Sequence, residues 1–361
     1  MARLGDICIQ ITDGSHNPPM GVEQSNYLML SSKNIDDDYI TLNDPRYLSQ
    51  EDFEAENRRT NIKPNDLLIT IVGTIGRVAI VPNSLTEFCV QRSVAVLKPK
   101  PEIVYNRFLM HYLQSMRPYL EQESRGVAQK GIYLKQLSNL SIILPPLDEQ
   151  RKIAAVLDKV SDLIAKRRQQ LDKLDEIVKS RFIEMFGDPV DNPHGFRKVA
   201  LSELAEIRIG PFGSLLHKED YIEGGHPLLN PSHIVDGKVA PDSKLTISDK
   251  KYDELEAYHL HTGDVVMGRR GEMGRCAVVP SEGFLCGTGS LLIRTKGEVT
   301  ADYIQKTISF PSFRKTIEDM AVGQTMPNLN VPIVSKFQII KPPIEVQINY
   351  YKFVAQTDKS K

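Results

Sequence analysis

The chain has 361 residues, 41% of them hydrophobic and 25% charged, with a net charge of −1. That length fits two domains and a connector rather than one core, and the composition excludes wholesale disorder. A near-zero charge excludes a generic basic coat protein for nucleic acid, while leaving room for local basic loops.

No apolar run approaches the roughly 18–20 residues that span a bilayer. The start, Met1 to Asp6, lacks a signal peptide's apolar stretch. A cytoplasmic protein with no membrane attachment is expected. Cys8, Cys89, Cys276 and Cys286 show no CxxC spacing and read as ordinary thiols of a reducing compartment.

In chain order, Leu67–Val72 is a β-rich apolar run ending at Gly73. Val78–Val81 is a second, closed by Pro82, and Ser93–Leu97 a third. A short helix is expected near Arg107–Leu120, then a strand Ser141–Leu144 ended by Pro145 and Pro146. The period then changes. Ile153, Val156, Leu157, Val160, Leu163 and Ile164 recur by threes and fours, as do Leu171, Leu174, Ile177, Val178, Phe182 and Met185. This predicts one amphipathic helix from Asp148, a plausible N-cap, to Phe186, stopped by Gly187 and Pro189. The near-heptad stripe calls for a partner helix.

The second half repeats the first. Leu4-Gly5-Asp6-Ile7 resembles Leu201-Ser202-Glu203-Leu204, an offset of 197 (201 − 4). Asn65-Asp66 followed by Gly73-x-x-Gly76-Arg77 resembles Gly263-Asp264 followed by Gly271-x-x-Gly274-Arg275. Gly126 matches Gly323, and Pro145-Pro146-Leu147-Asp148-Glu149-Gln150 matches Pro342-Pro343-Ile344-Glu345-Val346-Gln347. Landmarks in one order at one offset predict two halves that fold alike. The expected plan is a domain over 1–146, a connecting helix over 147–187, a second domain over 188–343 and a short helix over 344–361. The natural partner of the long helix is the matching helix after Pro342-Pro343, where Tyr350, Phe353 and Val354 sit at the offsets of Ile153, Val156 and Leu157, but the counterpart of residues 165–186 has no equivalent before Lys361. The stripe from Leu171 to Met185 is therefore expected to lack a full partner in the chain and to be an association site, for a partner subunit or a second copy.

These duplicated landmarks, with Asp148-Glu149-Gln150-Arg151-Lys152-Ile153-Ala154 and Glu184-Met185-Phe186-Gly187-Asp188-Pro189, resemble the specificity subunits of type I restriction-modification enzymes across essentially the whole chain. The resemblance implies an α+β fold: two mixed α/β target-recognition domains joined by long helices in an antiparallel coiled coil. Each domain would read one half of a gapped double-stranded DNA target, with the helices as spacer. It also implies two methyltransferase subunits and restriction subunits as partners. S-adenosylmethionine, ATP and Mg would belong to those partners, and this chain would hold no cofactor and no catalytic centre.

Base reading needs polar loops on a rigid scaffold. Ser15, His16 and Asn17 open such a loop, although Pro18 and Pro19 also make it a plain turn. Lys33 and Asn34, and the corresponding Asn230, Ser232 and His233, carry the same two readings. Arg77 and Arg275 sit in Gly-x-x-Gly-Arg turns suited either to phosphate contact or to a tight strand connection. Arg269 and Arg270 add charge in the second copy alone, and Gln91, Arg92, Gln129 and Lys130 are further loop candidates. Lys166, Arg167 and Arg168 read mainly as a solvated helix face, balanced by Asp162, Asp172, Asp175 and Glu176.

Catalytic readings fail on chemistry. Asn17-Pro18-Pro19-Met20 lacks the aromatic residue that an amino-methyltransferase stacks on a flipped base. Gly268, Gly271 and Gly274 match neither GxGxxG nor a phosphate loop, and His259 and His261 lack neighbouring ligands. Two competing readings remain: a coiled-coil assembly scaffold without DNA readout, and the specificity part of a fused restriction-methylation enzyme.

Overall fold

The computed structural model describes residues 1–124, 130–212, 215–321 and 328–360. It divides into two compact units, Met1–Arg167 and Arg168–Lys361. The division falls inside a 40-residue helix, Leu147–Phe186, whose first part belongs to one unit and second part to the other. The expected helix is thus present, with Leu147 one residue ahead of the expected cap. Among the described residues no helix is long and apolar enough to cross a membrane.

In the first unit a four-stranded antiparallel sheet runs in the order Cys8–Asp13, Val94–Pro99, Leu67–Thr70, Val78–Ile80. The strand Leu67–Thr70 is buried throughout. Leu67 and Ile69 enter one core cluster and Leu68 another, as period-two alternation requires of a strand covered on both faces. Beside it Tyr27–Leu30 pairs in parallel with Phe88–Val90 and antiparallel with Arg46–Leu48.

The second unit builds the same sheet from Ala205–Ile209, Ser290–Thr295, Val265–Gly268 and Cys276–Val278. Val265 and Met267 face one cluster and Val266 the other. Its smaller sheet also holds a parallel pair, His226–Leu229 with Phe284–Cys286. The duplication read from the sequence is therefore a duplication of topology.

Some local expectations change. The helix near Arg107–Leu120 is two helices, Asn106–Ser115 and Arg117–Glu123, because Pro118 can start a helix but not continue one. The strand before Pro145 shortens to Ser141–Ile142.

The helical stripe is also reassigned. In the second unit Val178, Phe182 and Phe186 are buried. Phe182 and Phe186 pack edge-on against Tyr350 of the C-terminal helix Ile344–Asp358, with ring centroids 5.5 and 5.4 Å apart. The Tyr350 hydroxyl donates to the Val178 carbonyl at 3.2 Å. Farther along, Phe353 lies by Arg181, so the two segments run antiparallel. Leu171, Leu174 and Met185 are partly covered and only Ile177 is well exposed, so this part is not the bare stripe expected. Exposure falls instead on Val156, Leu157, Val160, Leu163 and Ile164 in the first unit.

All four cysteines are buried, and burial pushes each thiol up to about 12. Folded protein at pH 8 should leave Ellman's reagent unreacted, and unfolding should release four thiols. Prompt reaction of the folded chain would contradict this packing. Phe182→Ala removes a ring at the centre of the aromatic cluster and should cost about 3–5 kcal/mol in denaturant titration. A loss within about 0.5 kcal/mol, the usual range for surface changes, would contradict it.

Candidate nucleic-acid interface

At one end of the first unit's sheet, five loops are tied together by backbone bonds. The Ser15 amide donates to the Val90 carbonyl at 2.9 Å, and the Arg92 amide donates back to the Ser15 carbonyl at 2.9 Å. The Gln91 amide donates to Leu30, and Ser32 donates to the Ser93 hydroxyl at 3.1 Å. Ile71 donates to the Ser93 carbonyl, and Ile132 to that of Ile71. Candidates scattered from residue 15 to residue 130 in sequence thus share one rim.

The second unit repeats the arrangement. Gly210 donates to Ser290, Gly287 to Leu229, Gly289 to the Asn230 side chain, Arg269 to Gly289 and Leu329 to Arg269. Gly14 and Gly210 occupy matching tight spots. A Cβ on either would collide with a carbonyl, that of Val90 or that of Gly287. Two residues beyond each glycine stand His16 and Phe212.

On these rims His16, Asn17, Arg92, Lys130, Ser232 and Arg270 are exposed. The His16 ring contacts the Asp13 carboxylate at 2.7 Å yet stays 57% exposed. Asp13 is also held by Arg59 at 2.8 Å, which orients the pair. Arg92, Lys130 and Arg270 have no side-chain ion pair or hydrogen bond among the described residues. These are the groups available to a ligand.

Other candidates are engaged internally. Asn34 is fully buried, accepting from the Ser31 amide and donating to the Thr41 and Asn43 carbonyls. His233 is buried likewise, its Nδ1 at 2.7 Å from the Leu228 carbonyl. Both shape their loops and are withdrawn as base readers. Ser15 is buried in a bridge to Gln91, and Asn230 braces Gly289.

Arg77 pairs with Asp36 at 2.9 Å, and Lys33 with Asp44 at 2.5 Å. Arg275 donates to Glu272 at 3.1 Å, which holds that carboxyl below the usual range. Arg269 donates to Asn328, and burial beside Arg270 pushes its guanidinium down. Gln129, like the landmarks Gly126 and Gly323, lies outside the described residues. The glycines of the Gly-x-x-Gly turns are required there: Gly73, Gly76, Gly271 and Gly274 all have φ between 75° and 82°.

His259 contacts the Tyr252 carbonyl at 2.7 Å, and His261 contacts Glu282 at 2.9 Å. Among the described residues no group of His, Cys, Asp and Glu could hold a metal ion. Lys166, Arg167 and Arg168 lie on an exposed helix face.

Sequence reasoning missed Phe212, which is 63% exposed on the rim of the second unit. Its signal is its position two residues after the glycine that matches Gly14. It also gave no role to Gln150 and Gln347, although both stand in the repeated Pro-Pro motif. Each is fully buried. The Gln150 carbonyl accepts from the Tyr105 amide at 2.8 Å, and its amide donates to the Ile103 and Pro145 carbonyls at 3.1 and 2.8 Å. Gln347 accepts from the Thr300 amide and donates to the Pro342 carbonyl, both at 2.9 Å.

Comparison with known proteins agrees with this duplication. The chain is 35% identical over 128 residues to the EcoBI specificity subunit of Escherichia coli, a match covering 35% of this chain and 27% of that relative. It is 20% identical over 316 residues to the MjaVIII specificity subunit of Methanocaldococcus jannaschii, covering 81% and 72% respectively. In fold it is similar to the crystal structure of the type I restriction-modification S subunit of M. genitalium, with a TM-score of 0.58 at 14% identity over 99% of this chain and 89% of that one. The family model described as the type I restriction modification DNA specificity domain matches residues 24–176 and again 193–361, and the chain belongs to that family, carrying its domain twice.

Proposed function

We propose that this chain is the DNA-sequence-specificity subunit of a type I restriction-modification enzyme, with one half of a gapped target read by each unit. The observation that carries this reading is the repeated rim. Two loop clusters are fastened by equivalent backbone bonds, yet they expose different side chains: His16, Asn17, Arg92 and Lys130 on one, Phe212, Ser232 and Arg270 on the other. A common scaffold with unlike reading groups suits a target whose halves differ.

The chemistry of these groups matches base recognition. Asn is suited to adenine, Arg to guanine edges or phosphate, and an apolar ring to a thymine methyl group. Recognition is this chain's part. Methyl transfer from S-adenosylmethionine and ATP- and Mg-dependent restriction are assigned to methyltransferase and restriction partners. The stretch Val156–Ile164 gives such a partner an exposed apolar face. An assembly scaffold without DNA readout would not need two rims of exposed polar groups.

The test is a salt titration of DNA binding by the chain in complex with its methyltransferase partner. Phosphate contacts make affinity fall steeply as salt rises. Arg92→Ala and Arg270→Ala should either lower the salt slope by about 1, if the residue meets phosphate, or relax one target position at about 1–3 kcal/mol, if it meets a base. Salt-independent binding, or two variants indistinguishable from the parent in both respects, would favour the scaffold reading.

Stability should divide the candidates the other way. Asn34→Ala and His233→Ala should each cost about 1–3 kcal/mol, because buried backbone partners lose their bonds. Arg92→Ala and Arg270→Ala should stay within about 0.5 kcal/mol. Thermal denaturation of the four variants checks the division, and the reverse ranking would overturn the assignment of exposed and internal groups.

A further inference from the structure

Gln150 and Gln347 stand at equivalent places, 197 residues apart (347 − 150), and do equivalent work. Each lies in the first turn of a helix that begins just after two prolines; the first of these helices runs out of its unit, and the second packs within its own against the far end of the first. The side-chain carbonyl takes the backbone amide that caps a helix of the unit, Tyr105 before Asn106–Ser115 or Thr300 before Ala301–Ile308. The side-chain amide returns to the carbonyl of the first proline, Pro145 or Pro342. In the first copy it also holds the Ile103 carbonyl. One primary amide therefore joins three features: its own helix, the proline turn and the start of another helix in the unit. No hydrocarbon side chain can do this, and a carboxylate can only accept.

Fully buried polar residues at a joint call for a reason beyond packing. The departing helix from the first unit is 40 residues long, about 60 Å at 1.5 Å per residue. A tilt of about 3° at its base moves the far end by about 3 Å, close to the roughly 3.4 Å that separates successive bases along a strand. A joint that slackened by a few degrees would thus blur the distance between two reading surfaces by one base pair.

We propose that Gln150 and Gln347 are positioning residues, Gln150 fixing the angle at which the 40-residue helix leaves the first unit and Gln347 the helix that packs on that helix's far end in the second unit, and that together they select the length of the gap between the two half-targets. This rests on reading the chain as a two-headed DNA reader. Neither residue touches DNA in this account; each acts through the helix it holds.

The experiment uses the complex with the methyltransferase partner. Its probes are duplexes carrying both half-targets at the cognate gap, one base pair shorter and one base pair longer. The parent should prefer one gap. Gln150→Leu and Gln347→Leu should lower that preference about tenfold or more, the equivalent of losing one or two buried hydrogen bonds, while each half-target is read as before. Gln150→Glu should resemble the Leu variant when ionised. It should recover gap preference as pH falls, because a protonated carboxyl both accepts from Tyr105 and donates to a carbonyl.

Binding that drops equally at all three gaps, or gap preference unchanged in variants that melt cooperatively, would overturn the inference, as would a Glu variant insensitive to pH. A parent complex with no half-target preference at any gap would overturn the reading beneath it, and that result appears before any substitution is made.

Discussion

Everything in each unit hangs on a short strand buried on both faces: Leu67–Thr70 in one copy and Val265–Gly268 in the other. Alternate residues feed two separate clusters, so the strand cannot slip by one position without exchanging both sets of contacts. It runs directly into the Gly-x-x-Gly turn, where positive φ angles reverse the chain. The neighbouring loops then bond to the strand end or to each other. Loops that carry exposed polar groups are held by backbone bonds to a packed core, which is the condition for reading a fixed hydrogen-bond pattern.

Periodicity and repetition were legible in the sequence because they depend on neighbours in the chain. The duplicated topology, the 40-residue helix and the glycine turns all follow from local spacing. Polar partnerships were not legible, because they join distant segments. Asp36 lies 41 residues before Arg77 (77 − 36), and Asn34 is satisfied by carbonyls of the loop after it. Nothing local distinguishes the buried His233 from the exposed His16, since both stand in polar, proline-containing loops. The helix carrying Tyr350 was legible as a partner of the long helix, but not that Tyr350 would meet Phe182 and Phe186, more than 160 residues before it. The missed glutamines show the same limit. Repetition marked their motif, but only the fold revealed that their amides face inward.

The electrostatics suit a reader that shares its load. Net charge is −1, and many rim cations are neutralised by carboxylates: Arg77 by Asp36, Lys33 by Asp44, Arg275 by Glu272. Such pairs at the surface contribute little stability, and on the rims they leave Arg92, Lys130 and Arg270 as the exposed cations without an ion pair among the described residues. A duplex held by those alone would bind weakly. Partner subunits that grip the backbone would supply the remainder, and this chain would supply register and choice.

The most direct measurement is a genome-wide map of methylated adenines in cells making the methyltransferase partner, with and without this chain. Readout by two unlike rims predicts a gapped, two-part motif that appears only with the chain, with unlike halves assignable to the two units. Methylation with no chain-dependent motif would contradict it and leave the two rims without the role given them here.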